Sequence, residues 1–536
     1  MSVKAPLSFR LAFTLIVNSL LLQTLVSIAQ SFTASYHNPE FTQIMPVQLK
    51  IEQGSNNLNE WSSFTIIPKF MNNSVTSDYQ NNYTLLETLI IPEAIKRISR
   101  MLVAKGQGMI PISSETHCDK IHQLTEKSSI EKADAHLFAY FLIGAYNSTW
   151  LTSGTTCAVS DSDNRPVVAL IKLNIEVVSW GLREIEELVK EVMGQFFHVI
   201  AFSTKLMNLY PTGFSSMFQF KNDTSYNSTS IGHYEIVSEA VLGRARRYFN
   251  CPSMTGLPMR RSTEHDTSLH FSQFLMVDEM MTGEDFGYKV ISEFTLAFLV
   301  DSGWYKADFS YAEQLTFGKD AGCELIDSVA SNKTFTNSCD LLGVSYCSND
   351  FASKSLCMQA SNFETNFIPK PVRGGHCVFD RSLVRGVPFE SNSTNSRCFS
   401  VIGYGQQNTG CFESYCVDGV LNVTVNAVNY TCVNASQTIY FSNLIIICPD
   451  PAEFCKFKQA CSGCSGNGVC LTNGKCRCNV MYEGDQCERR SHCDLKIPNI
   501  CDNITDYGMY LTYEIVYKSV TVQATFLGLI AFLFFN

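Results

Sequence analysis

The cysteines constrain this chain more than any other feature. There are 22, none before Cys118, and 19 of them fall between Cys323 and Cys501. That density implies bridging in an oxidising compartment. The gradient predicts a sparsely bridged first half built on an ordinary apolar core, followed by a bridge-rich half. A chain of 536 residues is expected to hold two or three domains.

Both ends point to the secretory pathway and a membrane. Early positive charges, an apolar run from Leu11 to Val26, and small residues Ser27 and Ala29 at cleavage spacing predict a signal peptide over 1–29. The uncharged run Val520 to Phe535 predicts either a glycosylphosphatidylinositol anchor signal or a terminal transmembrane helix. On both readings the chain is held at the cell surface. Sequons at Asn72, Asn82, Asn147, Asn222, Asn227, Asn332, Asn392, Asn422, Asn429, Asn434 and Asn503 fit a glycosylated exterior. A net charge of -10 and a pI near 5.5 argue against nucleic acid as a partner.

From about Ser179 the sequence is helix-like. Ile185, Val189, Val192, Phe196 and Ile200 recur at three-to-four spacing, while Glu184, Glu187, Glu191, Gln195 and His198 follow the opposite stripe. Within it, Met193 to Ser203 reads MGQFFHVIAFS, the outline of the zinc-protease motif H-E-x-x-H. In that motif two histidines one turn apart hold the metal and the glutamate takes a proton from its water. Here Gly194 stands at the first ligand position and Gln195 at the general-base position. Glycine has no donor, and an amide cannot accept and return a proton near neutral pH. A second constellation, His270 followed by Asp278 to Gly283, has the order of a third histidine ligand and a methionine turn.

These segments resemble the leishmanolysins, which carry a long insertion between the active-site helix and the third histidine. HVIAFS (198–203), EMMTG (279–283), SEFTLAFLVDSGWY (292–305) and YAEQLTFGKDAGC (311–323) are similar to family motifs in the family's order. RPVVALIKLN (165–174) is similar to the substrate-edge strand, which would include Val167 and Asn174. The resemblance implies an α+β fold with metzincin-like subdomains over 61–204 and 205–322. A Cys-rich subdomain would span 323–454, an EGF-like module 455–493, a juxtamembrane spacer 494–518 and the anchor signal 519–536, with a short pro-like segment at 30–60. It also implies zinc as the family's cofactor, His198 and His270 at the second and third ligand positions, and Met281 at the turn.

The departures weaken the chemistry more than the fold. Losing a metal ligand costs at least the roughly 10–100-fold in affinity seen for outer-shell changes. Losing the base removes a further factor of roughly 10²–10⁴. The family's latency cysteine also has no counterpart before Cys118. His136, His233 and His265 are the other histidines considered for completing the site, and His136 sits in a core-like run. The spacing of Cys464, Cys470, Cys476, Cys478 and Cys487, with Cys461 before them, resembles an epidermal-growth-factor-like module, a common spacer or adhesive surface. The expectation is a leishmanolysin-like surface protein with a defective active site, little or no bound zinc, and protein or peptide ligands. The alternatives are a working zinc metalloendopeptidase and a purely structural coat protein.

Overall fold

The computed structural model describes residues 46–490, apart from 50–59, 72–74, 107–108, 113–117, 119–130, 147–149, 177–184, 224–230, 261–268, 284–288, 332–338, 340–341, 362–363, 378–386, 392, 394, 404–405 and 457–462. The signal segment, the C-terminal anchor run, His265, and the sequons at Asn72, Asn147, Asn227, Asn332, Asn392 and Asn503 lie outside the described residues.

The first half is built on a five-stranded sheet. Its strands are β1 (Val47–Leu49), β2 (Ile66–Phe70), β3 (Leu137–Gly144), β4 (Thr152–Ser160) and β5 (Pro166–Asn174), in the order β1-β4-β5-β3-β2. β2, β3 and β5 run parallel, β4 runs against β5, and β1 lies parallel to β4 along Ala158 to Ser160. On one face pack the helices α1 (Ile91–Met101) and α2 (Ile185–Ile200), whose Ile98, Val192 and Phe196 join Phe141 and Ile171 in the main core. The other face buries Phe138, Tyr140, Val168 and Leu170 beneath Ile110, Ile112 and the Cys118–Cys157 disulfide.

One expectation is corrected here. The stretch expected at the substrate edge is β5, and β5 lies inside the sheet, bonded to β3 on one side and β4 on the other. Val167 and Asn174 are both fully buried. Both alternations of the strand are apolar from Val167 to Ile171, as a strand covered on two faces requires, with Lys172 and Asn174 buried at its end. Asn174 closes the strand's end, donating from Nδ2 to the Trp150 carbonyl at 3.1 Å and accepting from the Glu176 amide at 3.2 Å. The edge belongs to β4: among the described residues its first half, Thr152 to Thr156, pairs only with β5.

The insertion after α2 forms a hairpin, β6 (Phe218–Asp223) with β7 (Ile231–Ile236), joined by the short β8 (Leu257–Pro258). It leads into α3 (Glu239–Tyr248), and α4 (Glu293–Asp301) follows the methionine-rich turn. Asp301 accepts from the Ala240 and Val241 amides at the start of α3, tying the two helices together. The C-terminal half carries a six-stranded antiparallel sheet of β9 (Ser396–Gly403), β10 (Gln406–Val417), β11 (Val420–Val425), β12 (Val428–Cys432), β13 (Thr438–Phe441) and β14 (Leu444–Ile447), in the order β12-β11-β10-β9-β14-β13. The predicted cysteine gradient holds: of the nine disulfides among the described residues, only Cys118–Cys157 and Cys251–Cys323 begin before residue 339.

The small Cys-rich segment after Gly463 is docked against the first half. Arg477 bonds Glu186 of α2 at 2.8 Å and Glu313 at 2.5 Å, and Glu186 also takes a two-pronged contact from Arg97 of α1. Lys190, one turn along α2, meets Glu313 at 2.8 Å. Burial alone would raise the Glu186 carboxyl, but the Arg477 and Arg97 charges outweigh it and hold the group well below the usual carboxylate range.

Candidate functional site

Helix α2 ends beside the site, and its last turn is fixed by carbonyl contacts. His198 Nδ1 donates to the Phe202 carbonyl at 2.8 Å, which also accepts from the Leu269 amide at 3.3 Å. Since a carbonyl only accepts, the proton sits on Nδ1, the tautomer that metal-binding histidines take. Burial pushes the imidazole down to about 4, against a smaller upward pull from Phe202, so it is neutral at physiological pH.

His270 arrives from the segment after Leu269 and is held by its backbone, its carbonyl accepting from the Arg260 amide at 2.9 Å. The two imidazoles meet nearly edge to face, 4.9 Å between ring centres at 79°. Behind His270 lies the turn. Gly283 has φ +76°, and a β-carbon there would stand 2.6 Å from His270 Cδ2 and Nε2. Only glycine lets the ring lie this close to the chain. Met281 is buried, and its carbonyl accepts from the amide of Phe271, the residue after His270, at 2.8 Å.

The two acidic residues of this turn serve the scaffold. Glu279 is fully buried and accepts from Thr295 Oγ1 at 2.5 Å and the Ser292 amide at 3.1 Å, which places its carboxyl at the N-terminus of α4. Burial, then the nearby Asp350 carboxylate, push Asp278 up to about 7 against the pull of Lys289.

Gly194 and Gln195 complete the picture. A β-carbon at Gly194 would meet only Met280, 3.6 Å from its Sδ, an ordinary contact. The Gln195 side chain is buried against β4, its Oε1 3.1 Å from where a β-carbon on Gly154 would stand, and that oxygen accepts no hydrogen bond among the described residues. The structure therefore brings His198, His270 and Met281 together, with Gly194 and Gln195 on the same helix. His136 lies elsewhere, its Nδ1 accepting from the Thr65 amide at 3.0 Å, and His233 sits on the insertion hairpin 3.9 Å from Glu235. Among the described residues no three His, Cys, Asp or Glu side chains converge as a metal-holding group. Two imidazoles fall short of the three protein donors of a catalytic zinc and the four of a structural one. Among the described residues the donor set does not fit the metal.

The spacing of the motifs did not single out Met280, Gly154 or Lys205. Lys205 reaches the Thr155 hydroxyl of β4 at 3.4 Å, and burial lowers its ammonium to about 8. A glycine directly after M-M-T was the one local signal available for the close approach at Gly283.

The family model for leishmanolysin matches residues 72–373, more than half of the chain and the whole of this site. The chain belongs to the leishmanolysin family. Over a 502-residue alignment it is 22% identical to a leishmanolysin-like peptidase of Drosophila melanogaster, covering 72% of this chain and 71% of that one. A leishmanolysin-like peptidase of Caenorhabditis elegans is 37% identical over 90 residues, 17% of this chain and 14% of its own. Leishmanolysin of Leishmania donovani is 29% identical over 184 residues, 33% of this chain and 28% of its own. The coverage of these relatives' lengths is partial, and least where identity is highest.

Proposed function

We propose that this member of a zinc-metallopeptidase family has lost proteolysis and acts as a binding protein at the cell surface, on a metzincin-like scaffold held at the membrane by its C-terminal anchor. The observation that carries the reading is the pair Gly194 and Gln195. The helix, the paired imidazoles and the methionine turn are all formed, yet the first ligand position has no donor and the base position holds an amide buried against Gly154. A protein or peptide ligand in extended form would add a strand along the first half of β4, which among the described residues pairs on one side only, by displacing what now buries Thr152, Ser153, Thr155 and Thr156. The segment 455–493, read as EGF-like, would brace the helix from behind.

The second reading, a working zinc endopeptidase, draws on the His198 tautomer and the approach of His270. The double variant Gly194→His, Gln195→Glu separates the two. The full chain and the variant are compared for cleavage of casein with and without chelator. The proposal expects no chelator-sensitive cleavage by the parent and a gain by the variant, since a β-carbon at 194 meets nothing closer than 3.6 Å. Chelator-sensitive cleavage by the parent at the rate of the variant would overturn it.

A further inference from the structure

The six-stranded sheet of the C-terminal half ends on β12, and the stretch from Val420 to Pro449, which supplies four of its strands, contains no charged residue. An uncharged edge strand with β-branched residues invites pairing with another chain, and proteins usually guard such edges with lysine, proline or a covering segment. Here Val420, Val428 and Val433 are 41%, 47% and 66% exposed. The strands alternate cleanly: Leu421, Val423 and Val425 point into the core, so Asn422 and Thr424 occupy the outer face of β11.

Two sequons face each other on that hairpin. Asn422-Val-Thr424 lies on β11 and Asn429-Tyr-Thr431 on β12, with Asn422 opposite Thr431 and Thr424 opposite Asn429. Each threonine hydroxyl donates to the asparagine of the other sequon: Thr424 Oγ1 to Asn429 Oδ1 at 2.7 Å, and Thr431 Oγ1 to Asn422 Oδ1 at 3.1 Å. A third sequon begins at the exposed Asn434, immediately beyond β12. Both cross-hairpin bonds use Oδ1, and the Asn422 amide nitrogen makes a long contact of 3.5 Å to the Val420 carbonyl, which the one hydrogen left after glycan transfer can keep.

We infer that Asn422, Asn429 and Asn434 carry N-linked glycans, and that these glycans are the main guard of this uncharged sheet edge, beside the Gln437 side chain that donates to the Thr431 carbonyl at 3.0 Å. The nine disulfides place the chain in a compartment where the modification occurs. In the transfer, the asparagine Nδ2 loses a proton and forms a bond to the anomeric carbon of a polyprenyl-diphosphate-linked oligosaccharide. The anomeric carbon–oxygen bond breaks, and the lipid diphosphate leaves with that electron pair, with no change of oxidation state. The modified nitrogen keeps one hydrogen and Oδ1 keeps its lone pairs, so the hairpin bonds survive the reaction. In an extended segment, residues two apart share a face, so each sequon presents its asparagine and threonine to the same side of the strand.

The test uses the full chain expressed in a glycosylating eukaryotic cell. Peptide N-glycosidase treatment in ¹⁸O water followed by peptide mass spectrometry is expected to find Asn422, Asn429 and Asn434 converted to labelled aspartate. Native trimming by endoglycosidase H of protein made with high-mannose glycans, which leaves one uncharged sugar and creates no carboxylate, is expected to raise its light-scattering mass at least twofold. Val428→Lys, which charges the edge, is expected to keep the trimmed protein at its starting mass. Absence of label at these asparagines would overturn the site assignment. An unchanged mass after native trimming, or association that Val428→Lys leaves untouched, would overturn the guarding role.

Discussion

Replacing Arg477 with alanine tests whether the Cys-rich segment is part of the folded unit that carries the site. Arg477 gives two charge-assisted hydrogen bonds, to Glu186 at 2.8 Å and Glu313 at 2.5 Å, with the carboxylates 7% and 0% exposed. Such bonds contribute about 1.5–3 kcal/mol each. Each carboxylate keeps another cation, Glu186 with Arg97 and Glu313 with Lys190, so neither is left as an isolated buried charge. The expected loss is therefore about 3 kcal/mol, at the low end of the cost of breaking a buried pair. Arg477→Lys, which cannot fork between two carboxylates, should recover less than half of that loss. The assay is urea unfolding of the disulfide-intact chain, with a double-mutant cycle against Glu186→Gln. The Glu186 carboxyl is held low in the folded state, so its contribution is present above the unfolded value and fades as pH falls below about 4. The gap between parent and variant should narrow there. A loss under about 1 kcal/mol at pH 7 for Arg477→Ala, or no coupling to Glu186, would refute the reasoning.

Two further outcomes follow from the site itself. Gly283→Ala sets a β-carbon 2.6 Å from the His270 ring at φ +76° and should destabilise by about 3 kcal/mol, the sum of left-handed strain and overpacking, read as a lower unfolding midpoint. Asp278, raised to about 7, is neutral in the folded state below that pH and pays for ionisation above it, so its effect on stability worsens as pH rises from about 4 through 7. Asp278→Asn should thus stabilise by about 4 kcal/mol at pH 8 and have little effect at pH 4, which paired unfolding curves would show.

Periodicity located α2, and the order of short motifs located the turn, because both are local patterns. The position of β5 was not legible, since an apolar run says that both faces are covered but not which strands lie beside it. The difference between β4 and β5 is one of hydrogen-bond partners. Glu186 and Lys190 of α2 lie outside the polar stripe read from the sequence, and they are buried because cations and a carboxylate from 89 to 291 residues away reach them. Spacing on one helix cannot reveal partners that distant. Asp278 and Glu279 stood in the sequence only as part of the methionine-turn segment; in the fold Glu279 holds the start of α4, and burial with the Asp350 charge raises Asp278.

The most direct measurement is the zinc content of the unmodified full chain, purified without chelator and read by mass spectrometry of the metal beside the Gly194→His, Gln195→Glu variant. The account predicts well under one zinc per chain for the parent and a clear rise toward one for the variant. Stoichiometric zinc on the parent, lost together with peptide cleavage on adding chelator, would contradict it.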